Sequence, residues 1–495
     1  MTSQTTERAF ETAIVDFLIN NGGYQLGNAG NFSRELAFDK ATIFQFIQTS
    51  QPEAWRRLSD IHGLAVEPKF IQRLYVELEL RGMLDVLRYG ITDYGVRFKL
   101  AFFKPASGLN PDTLALYNQN ILTVTRQVRY SDQHDNSIDL LLSINGLPVA
   151  TAELKNQFTG QDVDKAKRQY IEDRDYRDLL FQFKRRALVH FAVDPDEVWM
   201  TTRIHSSNTR FLPFNKGYNK GAGNPPNPNG YKTAYLWEDI WTKDSWLDIV
   251  GRFLHLEQEN IKLDGKSAKK ETLIFPRFHQ LDAVRKLTAD AKVKGTGHDY
   301  LIQHSAGSGK SNSIAWLAYQ LASLYNDQDQ RVFDLVIVIT DRRVLDQQLQ
   351  DTIYQFEHKQ GVVQKIDKNS AQLAEALVSG TNIIITTLQK FPFVLDKIRE
   401  ILEKNNIAQL PKRNYALIVD EAHSSQSGEA SKKMKEVLSI NDLSRSAQEE
   451  STADEEEDIE DNIRKQMRIR GKQPNLSFFA FTATPKQKPW KTSAT

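Results

Sequence analysis

The chain has 495 residues, 64 Lys and Arg against 63 Asp and Glu, 40% apolar and 26% charged residues, and no cysteine. At about 150 residues per domain this is roughly three domains or two large ones, and the near-zero net charge excludes a chain that coats nucleic acid by bulk charge, so any such contact comes from a local groove. The missing cysteines exclude disulfides, thiolate nucleophiles and cysteine-ligated zinc and fit a reducing cytoplasm; the first residues lack a basic stretch followed by an apolar one, and no apolar run reaches the roughly 18 residues of a membrane span.

Residues 1 to 125 mix amphipathic helical patterns with short loops, one helix being predicted near EAWRRLSDIHGL (53–64). A strand-rich stretch follows, in which SIDLLLSI (137–144) and PVATAELK (148–155) flank Asn145-Gly146. Asn-Gly between two apolar runs predicts a β-hairpin. A charged helical segment is expected over 161–186. The Gly-, Pro- and Asn-dense run 215–232 excludes a regular element and reads as a surface loop, a strap or a ligand-contacting loop. KLDGKSAKKET (262–272) reads as an exposed linker and a domain boundary. Beyond it LIQH, DLVIVIT, NIIITT, YALIVD and LSFFAFTAT alternate with helical stretches, which argues for a parallel sheet covered by helices. QEESTADEEEDIEDN (448–462) is acidic and almost devoid of apolar residues, the composition of a solvated insertion.

The hairpin carries chemistry. Counting back from its turn, Asp139 and Glu153 are near-opposite neighbours on adjacent strands, roughly 5 Å apart. Two facing carboxylates repel unless a cation lies between them. The period of two puts Glu153 and Lys155 on one face and Leu154 on the other. Two carboxylate oxygens and an ammonium on one face are the groups that bind a divalent metal, polarise a phosphodiester and stabilise charge at phosphorus. His190, on an apolar run, reads as a hydrogen-bonded core histidine, and the aromatic residues of this half read as core. The cluster Lys184, Arg185, Arg186 is either a phosphate contact or a solvated face.

HSAGSGKS (304–311) lies between an apolar run and a helical pattern, the context of a phosphate-binding loop. Gly307 and Gly309 let backbone N–H groups curl round a phosphate, with Ser308 between them; Lys310 reaches the β- and γ-phosphates, and Ser311 holds Mg²⁺. His304 departs from the small residue usual at the first position. VDEAH (419–423) ends an apolar strand, where Asp420 can hold Mg²⁺ through its water shell and Glu421 can orient the attacking water. An α/β chain that binds ATP and Mg²⁺ is therefore expected.

In order, PRFHQ (276–280), HSAGSGKS, TDRRVLDQQ (340–348), TTLQKF (386–391), VDEAH and FTATP (481–485) resemble the motifs of superfamily 2 helicases and translocases over residues 272–490. The resemblance implies that Gln280 reads adenine, that TDRRVLDQQ and TTLQKF touch the nucleic-acid backbone, and that Thr482 and Thr484 couple the two events. Asp139 with Glu153-x-Lys155 resembles the PD-(D/E)xK nuclease motif. Together with RQVRY (126–130), QYIEDRDYRD (169–178) and FLPFNKGYNKGAGNP (211–225) it resembles the nuclease part of the motor (R) subunit of type I restriction enzymes. Gln169 and Tyr170 are adjacent here, where many members separate the two residue types by three; a nuclease-accessory role follows from the resemblance alone. The wider nuclease family also implies an acidic ligand from an early helix, which the sequence does not single out.

The resulting expectation is a restriction-endonuclease-like α/β domain (1–260), a linker (261–271) and a first RecA-like ATP-binding motor domain with a parallel sheet (272–495), with no room for a second motor lobe and hence no self-sufficient ATPase. The implied activity is Mg²⁺-dependent cleavage of double-stranded DNA coupled to ATP-driven translocation, in a cytoplasmic, membrane-free complex with methylation and specificity subunits. The alternatives are an ATP-dependent helicase or repair nuclease outside restriction, and a non-catalytic scaffold that binds ATP and DNA.

Overall fold

The computed structural model describes residues 7–156, 162–263, 266–305, 307–340, 352–353, 362–366, 369–387, 390–391, 394–405, 412–420, 434, 437–438 and 474–482. The chain is α/β and divides into two units, Met1–His279 and Gln280–Thr495.

The first unit opens with α1 (Glu7–Asn20), which buries Phe10, Ile14, Val15 and Leu18 at helical spacing and leaves its acidic residues on another face. β1 (Gln25–Leu26) follows, and then a helical layer of α2 (Lys40–Ser50), α3 (Pro52–His62), α4 (Val66–Arg81) and α5 (Met83–Tyr89). Asp39 caps α2 by accepting from the Thr42 N–H, and Pro52 occupies the first turn of α3, where no backbone donor is missed.

The seven-stranded sheet runs in chain order: β1, β2 (Leu122–Arg129), β3 (Ser137–Ile144), β4 (Leu147–Leu154), β5 (Val189–Val193), β6 (Val198–Thr201) and β7 (Leu212–Pro213). β1 pairs parallel with β2 and β4 parallel with β5; the other neighbours are antiparallel. Every residue of β4 is buried, as in a central strand covered on both faces.

The Asn145-Gly146 hairpin forms as the sequence predicts. Both turn residues have positive φ, 53° and 84°, the conformation that matches the twist of the flanking strands. Asn145 is fully buried. Its Nδ2 donates to the Leu100 carbonyl (2.8 Å) and to Asn120 Oδ1 (3.0 Å), and its Oδ1 accepts from the Ile121 N–H (2.7 Å). The turn is thereby tied to the segments beside it, and the register of β3 on β4 shifts by one residue between Ser143 and Leu142.

Two local readings are corrected. The expected linker, 261–271, belongs to a hairpin of β8 (His255–Leu263) and β9 (Lys266–Ile274), paired over nine residues. Its Lys- and Glu-rich composition suits a solvated ribbon as well as a linker. Among the described residues the parallel crossover from β4 to β5 is helical in α6 (Val163–Arg168), its π-helical extension Gln169–Asp173 and a 3-10 turn at Leu179–Phe181, rather than throughout 161–186. The Gly- and Asn-rich run is a strap: Asn224 accepts from the Lys216 N–H and donates to the Asp196 carbonyl and Asn215 Oδ1.

In the second unit α7 (Phe278–Lys294) precedes a six-stranded sheet, all neighbours parallel, in the order β10 (Asp299–Gln303), β15 (Leu476–Thr482), β14 (Tyr415–Val419), β11 (Leu335–Thr340), β13 (Ile383–Thr387) and β12 (Val363–Lys365). α8 (Lys310–Ala322), α9 (Ser370–Ser379) and α10 (Val394–Lys404) lie between strands in the sequence. β11 is buried along its whole length, which explains its unbroken apolar run. The acidic run 448–462 lies outside the described residues. Among the described residues no helix is long and apolar enough to cross a membrane.

The hairpin turn makes a direct test. A Cβ on Gly146 would lie 2.5 Å from the Asp39 carbonyl oxygen and 2.9 Å from Ile43, and the positive φ adds strain. Gly146→Ala is expected to destabilise the first unit by about 1–3 kcal/mol in chemical denaturation; an unchanged midpoint would contradict the role given to this turn.

Candidate functional site

β3 and β4 bring Asp139 and Glu153 face to face. The register pairs Leu140 with Ala152 and Leu141 with Thr151, so the next position along opposes Asp139 to Glu153. The two carboxyls are close enough for the Asp139 charge to act on Glu153. Asp139 Oδ2 accepts from the Leu154 N–H (2.8 Å), which fixes its orientation. Glu153 is fully buried; Arg174 Nε donates to its Oε1 (2.7 Å) and Arg174 Nη2 reaches the same oxygen, while Oε2 is buried without a hydrogen-bond partner.

Burial, and after it the negative Asp139, push the Glu153 carboxyl well above its ordinary range, although Arg174 pulls the other way. Lys155 closes the group: its Nζ donates to the Leu154 carbonyl (2.8 Å) and lies 3.6 Å from Glu7 and 4.0 Å from Asp139.

Four further residues complete this site. Glu7 and Glu11, one turn apart on α1, are both raised by burial, with Asp139 adding to the rise. These two face the hairpin carboxylates from the early helix that the resemblance implied. Gln127 is held at φ 49° within β2, opposite Asp139. Its Nε2 donates to Asp139 Oδ1 (3.1 Å) and Glu11 Oε2 (3.2 Å), and its Oε1 accepts from the Ser137 hydroxyl (3.0 Å). Arg174 also donates to the Tyr130 hydroxyl and the Ser137 carbonyl. The i, i+4 spacing of Glu7 and Glu11 and the presence of Gln127 and Arg174 in RQVRY and QYIEDRDYRD were the sequence signals for these residues.

Tyr170 is fully buried, and its hydroxyl pairs with Thr151 (2.8 Å), which in turn pairs with His190 Nδ1 (2.8 Å). It therefore lies in the core beneath the site, and Gln169 is half-buried beside it on the π-helical turn. His190 is a core histidine whose burial lowers its pKa to about 3. Lys184, Arg185 and Arg186 form ion pairs with Glu271, Glu79 and Glu79.

A divalent cation fits Asp139 and Glu153 by their chemistry: two facing carboxyls, one with a buried oxygen that no protein donor meets. Among the described residues no three His, Cys, Asp or Glu side chains converge as ligands for one ion.

In the second unit, Gly307 (φ 76°) and Gly309 (φ 81°) shape the phosphate-binding loop, and Gly309 starts α8. Lys310 Nζ lies 2.9 Å from Asp420 Oδ1. Asp420 is held at the end of β14 by its N–H, which donates to the Ile339 carbonyl (3.0 Å). Gln280 is buried and donates to the carbonyls of Ser308 (3.2 Å) and Gly309 (2.9 Å), so it braces the loop. The His304 N–H donates to the Thr482 carbonyl (2.9 Å), linking the loop to the FTATP strand. Ser311 follows Lys310 in the first turn of α8. Glu421 and Thr484 lie outside the described residues.

The carboxyl pair has a measurable cost. Glu153 binds its proton more tightly folded than unfolded, so stability falls as pH rises from the unfolded value, near 4.5, through the raised folded value. Asp139→Asn removes the like charge while its carbonyl oxygen keeps the Leu154 N–H. Without added metal it is expected to raise the melting temperature at pH 8 by about 2–4 °C, the shift of roughly 1 kcal/mol in a domain of this order, with little change near pH 4. A drop at pH 8 would contradict the repulsion.

Residues 4–209 match the family model described as the type I restriction enzyme R protein N terminus, and residues 279–444 match that of the SWI2/SNF2 ATPase. The chain is 26% identical over 319 residues to the type I restriction enzyme SsaAORF53P endonuclease subunit of Staphylococcus saprophyticus, a match covering 63% of this chain and 30% of that protein. It is 24% identical over 321 residues to the SauMSSORF170P endonuclease subunit of Staphylococcus aureus, covering 64% of this chain and 30% of the relative. The chain thus spans less than a third of the length of these relatives. The chain is thus similar in its first part to the N terminus of type I restriction enzyme R proteins and in its second part to SWI2/SNF2 ATPases.

Proposed function

We propose that the chain is the nuclease and first motor part of an ATP-dependent type I restriction endonuclease subunit, acting on double-stranded DNA in the cytoplasm with methylation and specificity subunits. The first unit is the nuclease domain and the second the RecA-like domain that binds ATP and Mg²⁺. The observation that carries this reading is the facing pair of Asp139 and Glu153, with Lys155 beside it, on the same polypeptide as a P-loop whose Lys310 pairs with Asp420.

The chemistry follows from the groups present. Asp139 and Glu153 would hold a divalent cation, which when bound lowers the pKa of its water and polarises the scissile phosphodiester. Lys155, anchored by the Leu154 carbonyl and by Glu7, places an ammonium where negative charge grows on the phosphoryl oxygens. Arg174 and Gln127 hold the two carboxylates in orientation. In the second unit the backbone of the Gly307–Gly309 turn and the start of α8 receive the triphosphate. Lys310 turns from Asp420 to the β- and γ-phosphates, which frees Asp420 for Mg²⁺, with Ser311 as its partner. Glu421 is the group proposed to orient the attacking water, and Thr482 and Thr484 couple the nucleotide state to DNA. DNA contacts through phosphates leave sequence reading to the specificity subunit.

The test is cleavage by the assembled enzyme. Asp139→Ala and Lys155→Ala should each abolish cleavage, by more than about 100-fold, while nucleotide binding stays intact. Lys310→Ala should abolish nucleotide binding and leave Ca²⁺ binding by the first unit unchanged. Cleavage that survives loss of Asp139 and Lys155 would overturn the site.

A further inference from the structure

Building on the nuclease reading, we propose that this site takes a single divalent cation, and that Arg174 occupies the place a second cation would take on Glu153. Two-metal phosphodiester sites bridge a shared carboxylate between ions about 4 Å apart. Here one oxygen of the shared candidate, Glu153 Oε1, is already held by two nitrogens of Arg174. Arg174 is itself buried and fixed by the Tyr130 hydroxyl and the Ser137 carbonyl. Only Oε2 of this carboxylate is left without a donor.

The remaining acids are engaged in the same way. Glu7 pairs with Lys155, Glu11 with Arg126 and Gln127, and Asp139 with Gln127 and the Leu154 N–H. The four carboxylates thus face three cationic side chains, Lys155, Arg126 and Arg174. When all are ionised the surplus is one negative charge, which one divalent ion and the scissile phosphate balance and two divalent ions do not. No third carboxylate converges with Asp139 and Glu153 among the described residues, so a second ion would have to share Glu153 through the oxygen that Arg174 now holds. Arg174 is a positioning residue: it orients Glu153 and touches no reacting atom.

The experiment counts Mn²⁺ on the full chain without nucleotide, by calorimetry and by electron paramagnetic resonance, in the wild type and in the double variant D139N/E153Q. The motor unit is unchanged between the two, so the difference belongs to this site. The expected result is one ion fewer in the double variant and, in the wild type, the hyperfine spectrum of an isolated Mn²⁺. Two ions fewer, or a spin-coupled spectrum, overturns the proposal. No ion lost in the double variant overturns the nuclease reading itself, a different outcome. Arg174→Lys should keep the count at one and Arg174→Met should raise it to two; a count that stays at one in Arg174→Met removes Arg174 as the cause. The wild-type count decides the stoichiometry even where Arg174→Met does not fold.

Discussion

Two acids forced to face each other across a pair of strands are the constraint from which the first unit is best understood. A buried carboxylate beside another is unfavourable, and a chain selected only for stability would replace one of them. The sequence instead surrounds the pair with compensation. Arg174 meets one oxygen of Glu153, Gln127 and the Leu154 N–H meet Asp139, and Lys155 stands within 4.0 Å of Asp139. One oxygen remains unmet. A site that is nearly neutralised by its own side chains, with a single buried acceptor left over, is built to be completed from outside. Gln127 carries part of that arrangement in its backbone, since a non-glycine residue with φ 49° inside a strand is strained.

The second unit solves a different problem with the backbone. Its parallel strands end along one edge, and the turn after β10 and the residue after β14 meet there through Lys310 and Asp420. In this ligand-free arrangement the lysine and the aspartate neutralise each other. In the proposed function the same two groups serve triphosphate and Mg²⁺, so nucleotide binding would exchange one ion pair for two others. Gln280 and the Thr482 carbonyl brace the loop from either side, which ties its shape to segments that the helicase-like motifs assign to nucleotide and DNA sensing.

What the sequence makes legible follows from how local each signal is. Asn145-Gly146 specifies a two-residue turn that brings β3 and β4 together locally, and a register shift between Leu142 and Ser143, which the sequence does not announce, moves Asp139 from opposite Ala152 to opposite Glu153. The phosphate loop and the apolar parallel strands are legible for the same reason. Arg174, Gln127, Glu7 and Glu11 were not singled out because their approach is tertiary. Arg174 lies 21 positions from Glu153 and Gln127 lies 116 from Glu11, and no periodicity reports such a meeting. The segment 261–271 reads as a linker because a Lys- and Glu-rich hairpin arm has no apolar alternation to betray it. Tyr170, read from the family resemblance as an accessory residue, proves to be core, held through Thr151 to His190.

The central claim is that the Asp139–Glu153 pair is incomplete without a cation, and linkage tests it most directly. The melting temperature of the first unit should be followed against Ca²⁺ concentration, without nucleotide, at pH 6 and at pH 8. Binding to the folded state alone should raise it in proportion to the logarithm of the concentration, and more at pH 8 than at pH 6, because the cation competes with the proton for Glu153. The account predicts that this rise disappears when both acids are replaced by their amides. An equal rise in that variant, or none in the wild type, would contradict it.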